Sequence, residues 1–150
     1  MAGNKKQGGG NGERAVLFLP AIYNEALMLL ARAHEYFYHH APREQAGMEN
    51  RERTMFTSEM SRVTIRLSSV MAWLMARRAV FEGQITLEEA NENYRLDCRD
   101  VCMNQHIEAE SLLPDRMTEL LDQTFELYLR VSRLDELNAK PESAKPEPPK

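Results

Sequence analysis

Three side chains with metal-ligand chemistry fall at regular spacing in the second half of the chain. Cys98, Cys102 and His106 stand at i, i+4 and i+8. On one continuous helix they would share a face, and thiolate with imidazole is a ligand set that zinc takes. The same spacing also argues the other way. Three ligands on successive turns spread over about 12 Å, too far to grip one ion unaided. Cys98 also falls on the apolar side of its segment with Tyr94 and Val101, where a free thiol acts as a small hydrophobe. Core or near-surface thiols are the simpler reading, and no metal or cofactor is expected. His39 and His40 sit where a helix is expected to end, so imidazolium there would suit the negative end of the dipole. His34 falls away from the apolar stripe and is expected in solvent.

A second cluster is cationic. Arg62, Arg66, Arg77 and Arg78 share one stretch with Trp73 between them. A basic stripe with an aromatic is a nucleic-acid pattern, but the chain's net charge of −4 lacks the cation excess that phosphate neutralisation needs. Residues 51–81 carry six arginines against two glutamates, and residues 82–126 carry twelve acids against three arginines. Ion pairing within the chain or across a dimer is therefore the simpler reading. Arg62 and Arg66 stand at i, i+4 and Glu59 precedes Arg62 by three, so a local Glu59–Arg62 pair is available. As protein-interaction candidates the sequence offers Arg62, Arg66, Trp73, Arg77 and Arg78, with Lys140, Lys145 and Lys150 in the tail. There is no Gly-rich phosphate loop, no H-E-x-x-H and no G-x-S-x-G. No catalytic residue is expected, and the chain is read as a non-enzyme.

The elements that must carry these residues follow from the breakers. Five of seven glycines lie in the first twelve residues and four of seven prolines at or after Pro141. Between residues 14 and 137 stand 17 leucines against 6 valines and 4 isoleucines. That composition means all-α, since strands favour β-branched residues. A first helix is expected from about Pro20 to His39, burying Ile22, Ala26, Leu29, Leu30, Ala33 and Phe37 and closed by Pro42. A second runs from Thr57 or Ser58 to Phe81 or Glu82, stopped by Gly83, with Met60, Val63, Leu67, Val70, Met71, Leu74 and Phe81 inward. A shorter third opens with a Thr86–Glu89 capping box and is carried to about residue 97, with its pattern weakening towards 105. A fourth starts at Pro114 and ends near Leu137, with Met117, Leu120, Leu121, Thr124, Leu127, Tyr128, Val131 and Leu134 as its stripe. The expected architecture is an up-and-down helical bundle of three long helices plus one shorter helix.

Residues 1–13 are Gly-, Asn- and Lys-rich, and residues 138–150 are Lys, Glu, Pro, Ala and Ser. Both segments are expected to be disordered, leaving one bundle domain over 14–137. No apolar run approaches the roughly 18–20 residues of a membrane span. Residues 15–23 hint at a signal peptide, but Pro20 interrupts the run and Asn24-Glu25 ends it. A reducing, cytoplasmic setting is expected.

The second helix also carries a resemblance. Ser61-Arg62-Val63-Thr64-Ile65-Arg66-Leu67, Ala72-Trp73-Leu74, Arg78-Ala79-Val80 and Glu82-Gly83-Gln84-Ile85-Thr86 resemble the regulator of CtrA degradation (RcdA) family of alphaproteobacteria. Tyr23-Asn24-Glu25-Ala26-Leu27, Leu113-Pro114 and Tyr128-Leu129-Arg130-Val131-Ser132-Arg133-Leu134-Asp135 are similar to its first and last helices. The resemblance covers about residues 18–136. It implies a dimerising helical bundle that acts as an adaptor, delivering CtrA and other substrates to the ClpXP protease. The partners it implies are ClpX with a priming adaptor, protein substrates and a cyclic-di-GMP-binding protein, and the setting it implies includes recruitment to a cell pole. Met55, Phe56 or Phe81 would offer apolar surface for a homodimer. The competing classes are a thiol or metal sensor using Cys98, Cys102 and His106, and a DNA-associated regulator using the arginines.

Overall fold

A computed structural model of the chain describes residues 10–105 and 112–139, with side chains placed from Pro20 onward. His106, Lys140, Lys145 and Lys150 lie outside the described residues, as do residues 1–9 and 140–150 of the two segments expected to be disordered. The elements are α1 (Gly10–Glu35), a π-helical turn (Tyr36–His40), α2 (Ala41–Ala46), α3 (Asn50–Phe81), α4 (Leu87–Asn93), α5 (Arg99–Cys102) and α6 (Asp115–Ala139). No strand occurs among the described residues. The expected all-α bundle with three long helices holds.

Helix α1 starts ten residues ahead of the expected Pro20 and keeps Pro20 inside it. Proline's fixed φ suits a helix, and its cost there is one amide hydrogen bond and crowding against the carbonyl four residues back. Pro42 does not close the helix either. The Ala41 N–H reaches back to the Tyr36 carbonyl, five residues away. That wider turn shifts the hydrogen-bond register, and Pro42 then falls in the first turn of α2, where an amide needs no helical partner. His39 and His40 thus lie within the π turn rather than at a helix end.

Helix α3 starts at Asn50, some seven residues earlier than expected. Arg53 secures that extension by donating to the Gln45 and Met48 carbonyls at 3.3 and 3.1 Å. Phe56 is fully buried, its ring 6.3 Å from that of Tyr36. At about 1.5 Å per residue α3 is about 48 Å long. Gly83, at φ +75°, ends it. Its N–H donates to the Val80 carbonyl and that of Gln84 to Ala79, a Schellman stop that favours glycine at the left-handed position.

Contacts fix the directions. Tyr23 meets Arg78 and Tyr36 meets Phe56, so α1 runs antiparallel to α3. Arg32 meets Gln123 and Glu25 meets Arg130, so α1 is antiparallel to α6 as well. Arg66 reaches Leu121 while Trp73 reaches Asp135, which makes α3 and α6 parallel. The bundle therefore departs from simple up-down alternation, and the connection 82–114 carries the chain back to the end where α3 began. The core lies between the three long helices: Ala26, Leu29, Ala33 and Tyr36 of α1, Phe56, Val63, Leu67, Val70, Trp73 and Leu74 of α3, and Met117, Leu127, Tyr128 and Val131 of α6. Each such large side chain contributes about 1.5–3 kcal/mol on burial. Leu30 and Phe81, expected inside, face solvent.

The Thr86–Glu89 capping box is present, with reciprocal hydrogen bonds of 3.1 and 3.2 Å. The third helix nevertheless ends at Asn93, short of residue 97. The Asp97 carboxylate takes the Cys98 N–H at 2.7 Å and Cys98 turns left-handed at φ 60°. Such local side-chain bonds compete with helix continuation.

Candidate functional site

The arginines singled out in the sequence are internal. Arg62, Arg66, Trp73 and Arg77 are all buried, and Arg78 alone is exposed. This corrects their assignment to an open interaction stripe, and it removes the basic surface on which a nucleic-acid reading rested. Ion pairing within the chain is what the structure displays.

Each buried guanidinium ties α3 to the returning connection. Arg62 pairs with Glu59 at 3.0 Å and donates to the Val101 and Asn104 carbonyls at 2.6 and 3.0 Å. Arg66 donates to the carbonyls of Cys102, Asn104 and Leu121 at 2.9, 3.2 and 3.0 Å, and its guanidinium lies 5.0 Å from the Phe125 ring centre. Burial, reinforced by the nearby Arg62 charge, pulls the Arg66 pKa down to about 10. Further along, Arg77 stacks on Trp73 at 4.8 Å and donates to Asn91 at 2.8 Å, and Asn91 donates to the Asn138 carbonyl at 3.0 Å. Asp135 of α6 gathers the remaining donors, taking the Trp73 indole N–H at 2.9 Å and Arg95 at 2.9 and 3.0 Å. Arg77 stands 3.7 Å from it. Burial lowers the Arg77 pKa and the Asp135 charge opposes that shift. The Tyr128 hydroxyl closes the set on the Asp97 carbonyl at 2.9 Å.

Asp135 was legible in the sequence and passed over. It stands four residues after Val131 and seven after Tyr128, so a carboxylate falls on the inward stripe of α6, where a buried charge needs partners.

The cysteines separate. Cys102 is buried and Cys98 exposed, and both are free. They do not share one continuous helix, which undoes the helical-face argument, and His106 lies outside the described residues. Among the described residues no group of three or more potential ligands gathers to hold a metal.

What remains open is an apolar face along α1 and α3. Tyr23, Leu27 and Leu30 follow one another at i, i+4 and i+7 on α1, and Met71, Met75 and Arg78 do the same on α3. The helices are antiparallel and Tyr23 lies against Arg78, so the two rows run side by side. Phe81 is 69% exposed and Met75 60%. At one end the rows enclose a groove of about 320 Å³ between Pro20, Tyr23, Leu74, Arg78 and Phe81. Arg78 borders it, paired with Glu82 at 3.0 Å. Of the surface expected for a dimer, Phe81 stays exposed and Phe56 is buried by Tyr36. Sequence reading missed Leu27 and Met75, although the i, i+4, i+7 row through Tyr23 and Leu27 marked a second stripe on α1. A polar cleft of about 490 Å³ lies at the other end, between the π turn and α6, with Arg32, His40, Arg116 and Glu119 around it. Tyr36 borders this cleft and its hydroxyl is bonded to Glu44. Burial first, then that carboxylate, pushes the phenol pKa up.

The fold and site thus define a three-helix bundle with an arginine-tied crossover and an open apolar face. The chain belongs to the family described as a protein of unknown function (DUF1465), whose model matches residues 14–149. Its structure is similar to the crystal structure of RcdA from Caulobacter crescentus CB15, with a TM-score of 0.66 and 23% sequence identity over 81% of this chain and 90% of that one. The resemblance drawn from the α3 residues is therefore met by a shared fold. No curated protein is a significant match to the sequence. Among the described residues no helix is long and apolar enough to cross a membrane.

Proposed function

We propose that this chain is a non-enzymatic adaptor that helps deliver cell-cycle regulators of the CtrA type to the ClpXP protease. The observation that carries the reading is the exposed α1/α3 face on a bundle with the RcdA fold. Apolar residues in a row between two rigid helices offer a partner preformed shape, which lowers the ordering cost of binding. ClpX with its priming adaptor, a protein substrate and a cyclic-di-GMP-binding protein are the proposed partners. The chain works as a homodimer in the cytoplasm, with recruitment to a cell pole as the proposed site of action.

A pull-down tests this. Immobilised chain should retain ClpX and the priming adaptor together, and the double variant Leu27→Ser, Met75→Ser should lose that retention while keeping its melting temperature. Absence of retention under priming conditions overturns the adaptor reading. Light scattering at micromolar concentration should give the dimer mass, and a monomer would remove the homodimer.

A further inference from the structure

The two cysteines bracket α5. Cys98 precedes the turn, Cys102 ends it, and the Cys102 N–H donates to the Cys98 carbonyl at 2.9 Å. A bond of that type sets their Cα atoms about 6 Å apart, within the roughly 4.4–6.8 Å that disulfides span. Cys98 is exposed and is the one non-glycine residue with positive φ among those described. A left-handed conformation costs about 1–2 kcal/mol for such a residue. The Cys102 side chain points the other way, into the interior beside Tyr128 and Ser69. Nothing apolar on α5 apart from Cys102 is buried, since Arg99, Asp100 and Val101 all face solvent. The turn is held instead through its carbonyls, by Arg62 on Val101 and Arg66 on Cys102. Opening this strained turn means releasing those two guanidinium contacts and exposing Cys102, a local event that leaves the long helices in place.

We propose that Cys98 and Cys102 form a peroxide-oxidisable pair whose disulfide rebuilds the α5 turn and loosens its tie to the α3 arginines. The Cys98 thiolate attacks the O–O bond of hydrogen peroxide, becoming a sulfenic acid and releasing hydroxide, which takes up a proton as water. When the turn opens, the Cys102 thiol gives its proton to solvent and its sulfur attacks that of Cys98. The S–S bond forms and the sulfenic oxygen leaves as a second water. Two thiols and one peroxide thus give one disulfide and two waters, with both sulfurs oxidised and the peroxide oxygens reduced. One thiol faces out and the other in, so the bridge requires Cys102 to leave its place beside Tyr128. The carbonyls held by Arg62 and Arg66 then shift with it. The inference does not depend on the adaptor reading, because the chain alone is enough to test it.

The full chain is treated with hydrogen peroxide, denatured without reductant and exposed to a maleimide. The expected result is no labelled cysteine, an intact mass lower by two hydrogens, and recovery of both labels after dithiothreitol. In Cys98→Ser the remaining Cys102 should stay fully labelled, because a buried thiol does not meet peroxide directly. Hydrogen exchange of the oxidised chain should quicken about tenfold or more at residues 99–104 and remain unchanged in the core of α3. The proposal is overturned by two labelled thiols after peroxide, by over-oxidised Cys98 beside free Cys102, or by a covalent dimer through Cys98. A disulfide with unaltered exchange at residues 99–104 overturns the loosening.

Discussion

Replacing Asp135 with asparagine removes a buried charge near one end of the bundle at almost constant shape. In the native chain Asp135 is 4% exposed and faces Trp73, Arg95 and Arg77. Its three partners are not equal. Arg95 is about half exposed and can turn into water, so its pair is worth under about 1 kcal/mol. The Trp73 N–H can still donate to the asparagine oxygen, which preserves about 1 kcal/mol. Arg77 has no such exit. It is buried, and two of its nitrogens already lack a hydrogen-bond partner. Taking one partner from a buried pair costs about 3–5 kcal/mol, because the other charge is left uncompensated. Asp135→Asn should therefore cost about 3 kcal/mol, and Asp135→Ala about 1 kcal/mol more through the lost indole bond. In a chain of this size that lowers the melting temperature by about 10 °C for the asparagine variant. Urea titrations of Asp135→Asn, Arg77→Met and the double variant complete a thermodynamic cycle. The double variant should be more stable than the sum of single losses allows, since it leaves no orphaned charge. A loss below about 1 kcal/mol for Asp135→Asn, or an equal loss for Arg95→Gln, would refute the assignment of the cost to Arg77.

Three further outcomes can be measured on the same chain. Arg66→Lys should lose about 2–3 kcal/mol in urea titration, because one ammonium cannot reproduce a planar fork reaching the carbonyls of Cys102, Asn104 and Leu121; a neutral result would mean these contacts add nothing to the tie. Gly83→Ala should cost about 1 kcal/mol through the positive φ alone, since no atom lies within 4 Å of where its Cβ would stand. Burial raises the pKa of Tyr36 and of Tyr128 above the ordinary 10.0, and an acid with a raised folded pKa stabilises fully below its unfolded value and loses that contribution as pH climbs past it. The urea midpoint should therefore fall above about pH 10, by less in Tyr128→Phe than in the parent, and an identical fall in both would contradict the burial of that phenol.

How much of this was legible from the sequence differs by element. The inward rows of α3 and α6 follow a 3.6 period closely enough to read directly, and Gly83 and Thr86 mark a stop and a start through chemistry confined to a few residues. Pro20 and Pro42 misled because proline lacks one amide and crowds the carbonyl four residues back, yet its φ suits a helix: α1 continues through Pro20, and the π turn sets Pro42 in the first turn of α2. The fate of residues 94–105 was not local at all. Whether that stretch continues α4 or lies extended depends on the carbonyls that Arg62 and Arg66 can reach and on the Tyr128 hydroxyl, all contributed by residues at least 30 positions away in sequence. The open α1 row was visible as spacing, but which of two rows on one helix faces inward is decided by the partner helices.

The choice of cation carries the same logic. Every lysine lies in the tails, and the body between them uses arginine alone. A surface field for steering partners would be served by either residue. A cation fixed between two helices, with carbonyls arrayed around it, favours the guanidinium, whose several donors can each meet an acceptor and whose charge is less strongly hydrated. Arg62 and Arg66 meet that condition with acceptors from three separate segments, and Arg77 meets it in part. The α3 arginines are met by backbone carbonyls, Asn91, Glu59, Glu82 and Asp135, whereas the described acids of residues 82–126 face solvent. Charge that holds the bundle together is not available to attract a partner. The face of Tyr23, Leu27, Leu30, Met71 and Met75 is apolar instead, and the arginine that borders it is already paired to Glu82.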